Sequence, residues 1–309
     1  MPKRSGDVMN YFDFITKNAK ADNFVKFGMR PADIHECYSQ FSYRGFVNCV
    51  AADNEESFVM FTNADDVVAG YYYYSGPGSF EHGTLRLWSH LAKRASWVYD
   101  IGAFTGVFSL AAVTANPECY VMAFEPSFVT YSRLLVNIHA NEFNARIAPM
   151  RFGVADTNGE LELRHPSGVY VMASGESFLE SHISDPWFTE KVPVISLDHI
   201  LNNQSEYIKE AVIDCVFDGV DLLKIDVEGF EANVLKGMQD IVRQHKPTAI
   251  VEILEDAHVT EILALFGPGY RVWHIIEESG VLSETPSGTN KLFIHEDRLS
   301  LLDGYASAA

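Results

Sequence analysis

A glycine-containing segment near residue 100 could bind a small charged ligand. An apolar run over residues 97–99 leads into Asp100, and Gly102 and Gly106 follow before an apolar helical stretch begins. This order predicts a buried strand, a tight turn and the start of a helix. The first turn of a helix offers free N–H groups and the positive end of the helix dipole, which attract anions. The segment is therefore a candidate ligand cradle.

The spacing of the glycines separates two kinds of cofactor. Dinucleotide-binding folds use Gly-x-Gly-x-x-Gly, whose middle glycine lets the backbone approach a pyrophosphate, and Phe104 stands at that place here. The pattern Asp-x-Gly-x-x-x-Gly leaves room for a smaller group, such as an amino-acid carboxylate, and Asp100 would meet the ammonium. S-adenosylmethionine (SAM) fits this description. The predicted SAM cradle comprises Asp100, Gly102, Ala103, Phe104, Thr105 and Gly106.

Two further acids follow later apolar runs and could bind the nucleoside part of SAM. Glu125 ends the run over residues 120–124, and Pro126 then turns the chain away. A carboxylate in this place can accept hydrogen bonds from both ribose hydroxyls. Asp156 ends the next run, where folds of this kind often bind the adenine amine, but Asp-x-Asn-Gly is equally good turn chemistry. We place Glu125, Pro126 and Asp156 in the predicted cofactor site, with the turn role of Asp156 left open.

Charged residues alternate along another strand and its continuation. Lys224, Asp226 and Glu228 share one face if the chain stays extended, and such charges are costly to bury unless they are paired or used. Methyl transfer to an alcohol benefits from a positioned base, which Asp226 or Glu228 could supply. Either could instead hold a divalent cation that lowers the pKa of the alcohol, and a salt-bridged strand end is the structural alternative. We predict Lys224, Asp226 and Glu228 as the catalytic group and assign no metal site.

Apolar runs alternate with amphipathic helical stretches from residue 97 onward, which is typical of an α/β protein with a parallel sheet covered by helices. The last two runs are separated by a Gly/Ser/Pro-rich turn without a helix, which predicts a late antiparallel hairpin. The seven predicted strands cover residues 97–100, 120–124, 148–155, 222–225, 248–254, 270–276 and 290–295.

The 309 residues suit one large domain with a smaller appendage. We expect residues 1–94 to form an aromatic-rich cap or lid, in which four consecutive tyrosines at 71–74 make a strand. Residues 95–309 form the predicted catalytic domain. Its insertion at about 157–219 alternates apolar and polar residues, so we expect extra strands there.

Composition excludes several classes of partner. The formal net charge of −19, without a cluster of Lys or Arg, argues against nucleic acid. The sequence contains no apolar stretch of about 18 residues and no signal-like N-terminus, so we expect a cytoplasmic protein without a membrane partner. Four widely spaced cysteines predict free thiols. The expected partners are a small-molecule or glycan acceptor and a second copy of the chain.

Four motifs occur in a fixed order: Asp-Ile-Gly-Ala-Phe-Thr-Gly at 100–106, Phe-Glu-Pro at 124–126, Val-Ala-Asp at 154–156 and Lys-Ile-Asp-Val-Glu-Gly-Phe-Glu at 224–231. With these motifs the chain resembles the FkbM family of SAM-dependent methyltransferases over about residues 80–295. The resemblance implies a Rossmann-like class I methyltransferase fold and O-methylation of a hydroxyl on a sugar, glycan or secondary metabolite. It also implies that Asp100, Gly102 and Gly106 hold the methionine part, Glu125 the ribose and Asp156 the adenine side.

The resemblance further places Asp226, Glu228 and Glu81 toward the methyl acceptor, and we count Glu81 among the residues around the cofactor. The chain departs from the family at Phe104, where a smaller or polar residue is common, and residues 1–79 match no pattern. Two other functions fit such a sheet. A nicotinamide-dependent oxidoreductase would share the ribose carboxylate, although Phe104 obstructs the approach of a pyrophosphate. A non-catalytic SAM-binding module would leave Asp226 and Glu228 unused.

Overall fold

The N-terminal part of the chain contributes a small hairpin and two helices. The computed structural model describes residues 17–18, 20–22, 41–52, 57–166, 176–203 and 219–305. Strands β1 (Gly45–Cys49) and β2 (Phe58–Thr62) pair antiparallel. Helices α1 (Val67–Ser75) and α2 (His82–Ala92) follow them.

The four tyrosines at 71–74 lie in α1, so the predicted strand is wrong. Asp66 caps this helix, because its carboxylate accepts a hydrogen bond from the amide of Ala69 at 2.9 Å. Tyr72 and Tyr74 are buried against the rest of the molecule. The N-cap and this packing outweigh the preference of tyrosine for strands.

The remaining elements alternate through the chain. The strands are β3 (Trp97–Ile101), β4 (Tyr120–Phe124), β5 (Ile147–Met150), β6 (Gly153–Val154), β7 (Gly159–His165), β8 (Phe188–Ile195), β9 (Leu222–Ile225), β10 (Thr248–Glu252), β11 (Tyr270–Ile276), β12 (Val281–Ser283) and β13 (Asn290–His295). The helices are α3 (Val107–Ala115), α4 (Phe128–Ala140), α5 (Leu197–Asn202), α6 (Glu231–Lys236), α7 (Gln239–His245) and α8 (Val259–Phe266).

Within the described residues, the central sheet has eight strands in the order β12-β11-β13-β10-β9-β3-β4-β5. Strands β5, β4, β3, β9 and β10 are parallel, and β13 lies antiparallel between β10 and β11. The seven predicted strands and the late antiparallel hairpin are confirmed, and β12 adds a short edge strand. The chain proceeds outward from β3 to β5 and then crosses to β9 on the other side. This reversal opens a crevice at the carboxyl ends of β3 and β9, where ligands bind in folds of this kind.

A second sheet lies beside the central one. Strands β6, β8 and β7 form it in that order, with β7 and β8 antiparallel. The extra strands expected in the insertion are therefore confirmed, while residues 167–175 and 204–218 lie outside the described residues. The single third strand predicted over 148–155 is wrong in extent, because β5 ends at Met150 and the chain then leaves the central sheet for β6.

Alternating side chains of the central strands pack into two hydrophobic cores, one on each face of the sheet. Val98 packs into one core and Tyr99 into the other, as the two-residue period of a strand requires. The first core also contains Val68 of α1 and Leu85 of α2, so these helices pack on the same face of the sheet. The division of the chain at residue 94 stays a prediction.

Two further expectations concern cysteines and membranes. Cys49 and Cys119 are buried free thiols, as predicted, whereas Cys37 and Cys215 lie outside the described residues. None of the helices in the described ranges combines the length and apolar character needed to span a lipid bilayer.

Candidate active site

A pocket opens at the carboxyl ends of β3, β4, β9 and β10, with the N-terminus of α2 and the small sheet on its sides. Apolar side chains form much of its wall, among them Val67, Phe104 and Phe108. The carboxylates that line it in the described part of the chain are Glu81, Glu125, Glu176, Asp226, Glu228 and Glu252. The pocket thus combines an apolar wall with a concentration of acids.

The structure divides the predicted site residues into two groups. Those that line the pocket are Glu81, Gly102, Ala103, Phe104, Glu125, Pro126, Asp226 and Glu228. Those that lie behind its wall or away from it are Asp100, Thr105, Gly106, Asp156 and Lys224.

The glycines of the β3–α3 turn combine a left-handed backbone with close contacts. Gly102 has φ 81°, and a Cβ atom there would lie 1.8 Å from the carbonyl oxygen of Asp226. Gly106 has φ 101°, and its Cβ would lie 2.5 Å from Cδ1 of Leu134. A side chain at Gly102 would therefore collide with the backbone, whereas one at Gly106 would strain the turn and displace Leu134. Phe104 also adopts a left-handed backbone, with φ 50°.

Asp100 and Thr105 anchor this turn from behind. Asp100 is fully buried, and its Oδ2 accepts a hydrogen bond from the hydroxyl of Ser109 at 2.6 Å. Oδ1 has no hydrogen-bond partner among the described residues, and burial raises the pKa of Asp100 to about 6. The carbonyl oxygen of Thr105 accepts a hydrogen bond from the side-chain amide of Asn137 at 2.8 Å. This contact joins α4 to the turn.

Glu125 stands at the end of β4 and faces the turn. Its Oε2 accepts from the amide of Phe104 at 3.0 Å and its Oε1 from that of Ser127 at 2.8 Å. Two amide donors fix the carboxyl group while each oxygen keeps a free lone pair, which suits a ribose diol. Burial, reinforced by the charge of Glu176, raises the pKa of Glu125 to about 8.

Asp156 does not join the other predicted cofactor residues. It is exposed in the turn that precedes β7, beyond the point where the chain has left the central sheet. The amide of Ser196 binds the side chain of Asn158 in the same turn at 2.8 Å. The structure thus gives Asp156 the turn role that its sequence context left open, because the parallel strand is shorter than its apolar run.

Lys224 is buried under the floor of the pocket. Its Nζ donates to Oδ2 of Asp226 at 2.8 Å and to Oδ1 of Asn290 at 3.2 Å, and lies 4.8 Å from the centre of the Phe108 ring. Burial acts to lower the pKa of Lys224, but the carboxylates of Asp226 and Glu81 outweigh it and raise the pKa above its ordinary value. Lys224 is therefore a fixed cation beneath the acids rather than a group that touches the acceptor.

The remaining acids differ in ionisation. Burial acts to raise the pKa of Asp226, yet the adjacent Lys224 holds it below its ordinary value. Burial and the Asp226 carboxylate raise the pKa of Glu228 to about 7. Burial raises the pKa of Glu81 to about 7 against the opposing effect of Lys224, and Asn290 donates to Glu81 at 3.1 Å. Asp226 is thus ionised at neutral pH, whereas Glu228 can exchange a proton there.

Asp226 and Glu228 could act as bases or hold a divalent cation, and the charge of Lys224 bears on this choice. A divalent cation bound by Asp226 would lie next to the ammonium of Lys224, which already contacts that carboxylate. Lys224 would oppose a cation at Asp226, whereas the oxygens of Asp226, Glu228 and Glu252, which lie within 4.8 Å of one another, could together hold one. The base and cation alternatives for these acids both stay predictions.

Sequence reasoning missed Glu252, Glu176 and Asn290. Glu252 ends β10 and lines the pocket, so the rule that identified Glu125, an acid at the end of a parallel strand, could have found it. Glu176 and Asn290 reach the site from the insertion and from antiparallel β13. No local pattern marks these two positions.

The site fits SAM on two independent observations. The glycine turn leaves no room for a side chain at Gly102, and Glu125 is held by two amides at the place expected for a ribose contact. Gly102, Ala103 and Phe104 would border the methionine part, and Glu125 the ribose.

The strand order, the glycine turn and the acid after β4 define a class I methyltransferase. Residues 100–272 match the methyltransferase FkbM domain, which is more than half of the chain. The chain belongs to the FkbM methyltransferase family. Its cofactor is SAM, and the oxidoreductase alternative is wrong.

Named relatives are about a quarter identical to this chain over the aligned residues. The hexuronic acid methyltransferase AglP of Haloferax volcanii is 26% identical over 187 residues, which are 60% of this chain and 68% of AglP. The 31-O-demethyl-FK506 methyltransferase FkbM of Streptomyces tacrolimicus is 27% identical over 192 residues, or 57% and 72% of the two chains. A crystal structure of methyltransferase FkbM from Methylobacillus flagellatus shows 17% identity and a TM-score of 0.43. The match covers 73% of this chain and 52% of that one, so this chain spans about half its length.

Proposed function

We propose that the chain is an O-methyltransferase that acts on a hydroxyl of a sugar, glycan or secondary metabolite. The observation that carries the proposal is Glu228, a pocket-lining carboxyl group with a pKa of about 7 beside the ionised Asp226. A base works best when its pKa lies near the working pH. Glu228 meets this condition better than Asp226, whose pKa is held low by Lys224.

In the proposed mechanism, the chain positions an acceptor and removes its proton. Bound SAM supplies an electrophilic methyl group. The glycine turn and Glu125 bind the cofactor, and Phe104 and Phe108 exclude water from the wall of the pocket. Asp226 accepts a hydrogen bond from the acceptor and orients it, while Glu228 takes the proton from the reacting hydroxyl. Positioning contributes much of the rate, because an oriented pair reacts as one molecule.

The names of two relatives support a hydroxyl-bearing acceptor. One acts on a hexuronic acid and the other on 31-O-demethyl-FK506, and the second name specifies an oxygen. The pocket of this chain offers carboxylates that can accept hydrogen bonds from hydroxyls. It also offers aromatic rings, including Phe80 and Phe178.

The test is methyl transfer from isotopically labelled SAM to a panel of glycosides, glycans and hydroxylated metabolites, followed by mass spectrometry. We expect the label in an ether that resists mild acid. Glu228→Gln should lower the rate about 100-fold with unchanged SAM affinity by calorimetry, whereas the exposed Glu160→Gln should leave the rate unchanged. Label on nitrogen or carbon, or full activity of Glu228→Gln, would contradict the proposal. SAM binding without transfer to any acceptor would instead favour the non-catalytic module.

A further inference from the structure

Glu252 and Asp226 meet because their strands are parallel neighbours. Val251 of β10 pairs with Ile225 of β9, so the next residue of each strand projects into the pocket from the same edge of the sheet. Carboxylate oxygens of Asp226, Glu228 and Glu252 lie within 4.8 Å of one another. Two acids are thus held side by side by the sheet.

The close approach of these two acids favours a pair that shares one proton. An ionised carboxylate offers only acceptors, so a hydrogen bond between Asp226 and Glu252 requires one of the two to carry the hydrogen. A pair of ionised acids would also repel across this short distance.

The other hydrogen-bond donors to Asp226 and Glu252 indicate which of the two acids carries the proton. Asp226 Oδ2 accepts from the ammonium of Lys224 at 2.8 Å, which stabilises its ionised form. Glu252 Oε1 accepts from the hydroxyl of Thr289 at 3.0 Å, a neutral donor. Glu252 is therefore the carboxylic acid, and Oε2 is the oxygen left to carry its hydrogen.

Three acids and one cation face Glu252. The acids are Asp226 and Glu228 from the segment after β9 and Glu81 from the start of α2, and the cation is Lys224 of β9. Burial and the Asp226 charge raise the pKa of Glu252 to about 9 despite the opposing effect of Lys224. The acid form is thus maintained at neutral pH.

We propose that Glu252 is a positioning residue whose carboxylic acid donates a hydrogen bond to Asp226 and fixes that carboxylate for the methyl acceptor. The role toward the acceptor rests on the proposed function, whereas the acid–carboxylate pair is a property of the chain alone. The two parts therefore have separate tests. Glutamine should replace this group well, because its amide keeps both a donor for Asp226 and an acceptor for Thr289.

Infrared spectroscopy of the full chain tests the pair without an acceptor. The difference spectrum of wild type minus Glu252→Gln near pH 7.5 should contain the C=O stretching band of a buried carboxylic acid, and this band should disappear as the pH rises through about 9. The exposed Glu255→Gln, in the segment that follows β10, is the matched control and should give no such band. Absence of the band from the Glu252→Gln difference spectrum overturns the proposal.

Kinetics with labelled SAM test the positioning role. Near pH 7.5, Glu252→Gln should keep kcat within about threefold of wild type, whereas Glu252→Leu, which cannot donate, should lose about 30-fold or more with unchanged SAM affinity. Wild-type activity should fall above about pH 9, and this fall should be absent in Glu252→Gln. Glutamine as inactive as leucine overturns the proposal. Failure of the proposed function would differ, because the infrared band would persist in a chain that transfers no methyl group.

Discussion

Gly102 connects the cofactor turn to the catalytic segment through a single backbone contact. Because a Cβ at this position would lie 1.8 Å from the Asp226 carbonyl oxygen, Gly102→Ala must displace either the β3–α3 turn or the segment after β9. We expect it to lower the free energy of unfolding by more than about 3 kcal/mol and SAM affinity by about 30-fold or more. Urea unfolding and titration calorimetry measure the two effects.

Gly267 is the matched control for this substitution. Its φ is 84°, close to that of Gly102, but nothing lies within 4 Å of a Cβ placed there. Gly267→Ala should therefore cost about 1–3 kcal/mol from backbone strain alone and leave SAM affinity unchanged. Equal effects of the two substitutions would refute the assignment of Gly102 as a close-contact position.

The pKa of Glu228 predicts how the activity depends on pH. Burial and the Asp226 charge raise its pKa to about 7, and a base is active only when ionised. The rate constant kcat/KM should therefore rise tenfold per pH unit below about pH 7 and level off above it. The residual activity of Glu228→Gln should not show this rise with pH. The same rise in this variant would assign the base to another acid.

The role of a single residue in the site is predictable where one rule relates it to the end of a strand. Glu125 follows a parallel strand directly. The same rule finds Glu252 only when the strand ends there, as β10 does, and not at residue 254 as the apolar run predicts. The prediction that Asp156 lies in the cofactor site is wrong because an apolar run can continue beyond the strand that it begins. Here residues 153–154 join a different sheet. The ionisation of these acids depends on distances between strands, which the sequence order does not contain.

Helix α4 binds the open edge of β2 with two asparagines. The side chain of Asn137 accepts from the amide of Phe61 at 2.8 Å, and that of Asn141 accepts from the amide of Val59 at 2.8 Å and donates to its carbonyl at 2.7 Å. Four residues of helix advance about 6 Å and two residues of strand about 6.7 Å. The i,i+4 spacing thus matches alternate residues of the strand, so the two side chains replace a neighbouring strand.

The two asparagines should respond differently to substitution. Asn137 also donates to the carbonyl of Thr105 in the cofactor turn. Asn137→Leu should therefore lower the free energy of unfolding by about 2–4 kcal/mol and weaken SAM binding. Asn141→Leu should cost about 1–3 kcal/mol and leave SAM affinity unchanged. Unfolding by urea and calorimetry with SAM provide the measurements, and a loss of SAM binding in both variants would argue against this coupling.

Most strands of the central sheet are predictable because their sequence pattern repeats. Helix α1 and the contact between α4 and β2 have no such repeated pattern and are not predictable. Seven of the eight strands of the central sheet are predictable, because buried strands are continuous apolar runs; the short edge strand β12 is not. The tyrosines of α1 were assigned to a strand because their type favours strands, while the decisive Asp66 cap precedes them by five residues. Contacts between α4 and β2 join residues about 80 positions apart, beyond the reach of local periodicity.

The whole molecule places acidic groups in its interior as well as on its surface. Besides the formal charge of −19, buried and half-buried acids have raised pKa values: about 6 for Asp66 and Asp100, about 7 for Glu81 and Glu228, about 8 for Glu125 and about 9 for Glu252. The folded chain thus holds protons that the unfolded chain releases near pH 4.

These protons determine the sign of the pH dependence of stability. Between about pH 5 and 9 the folded state binds more protons than the unfolded state, so the free energy of unfolding falls as pH rises. Asp226, with its lowered pKa, acts in the opposite direction but only at acidic pH, and Lys224 contributes only at strongly alkaline pH. We expect a loss of at least about 2 kcal/mol between pH 6 and 8.5, measured by urea unfolding at constant ionic strength.

Repulsion among surface charges would give the same sign, but salt and substitution separate the two causes. Salt at about 0.5 M screens exposed charges and hardly affects buried ones, so the slope should persist if buried acids cause it. The double variant Glu125→Gln/Glu252→Gln should have a shallower slope between pH 7 and 9, because these two acids titrate there. The exposed pair Glu160→Gln/Glu255→Gln should not. A slope that salt abolishes, or that the buried double variant retains in full, would place the pH dependence on the surface instead.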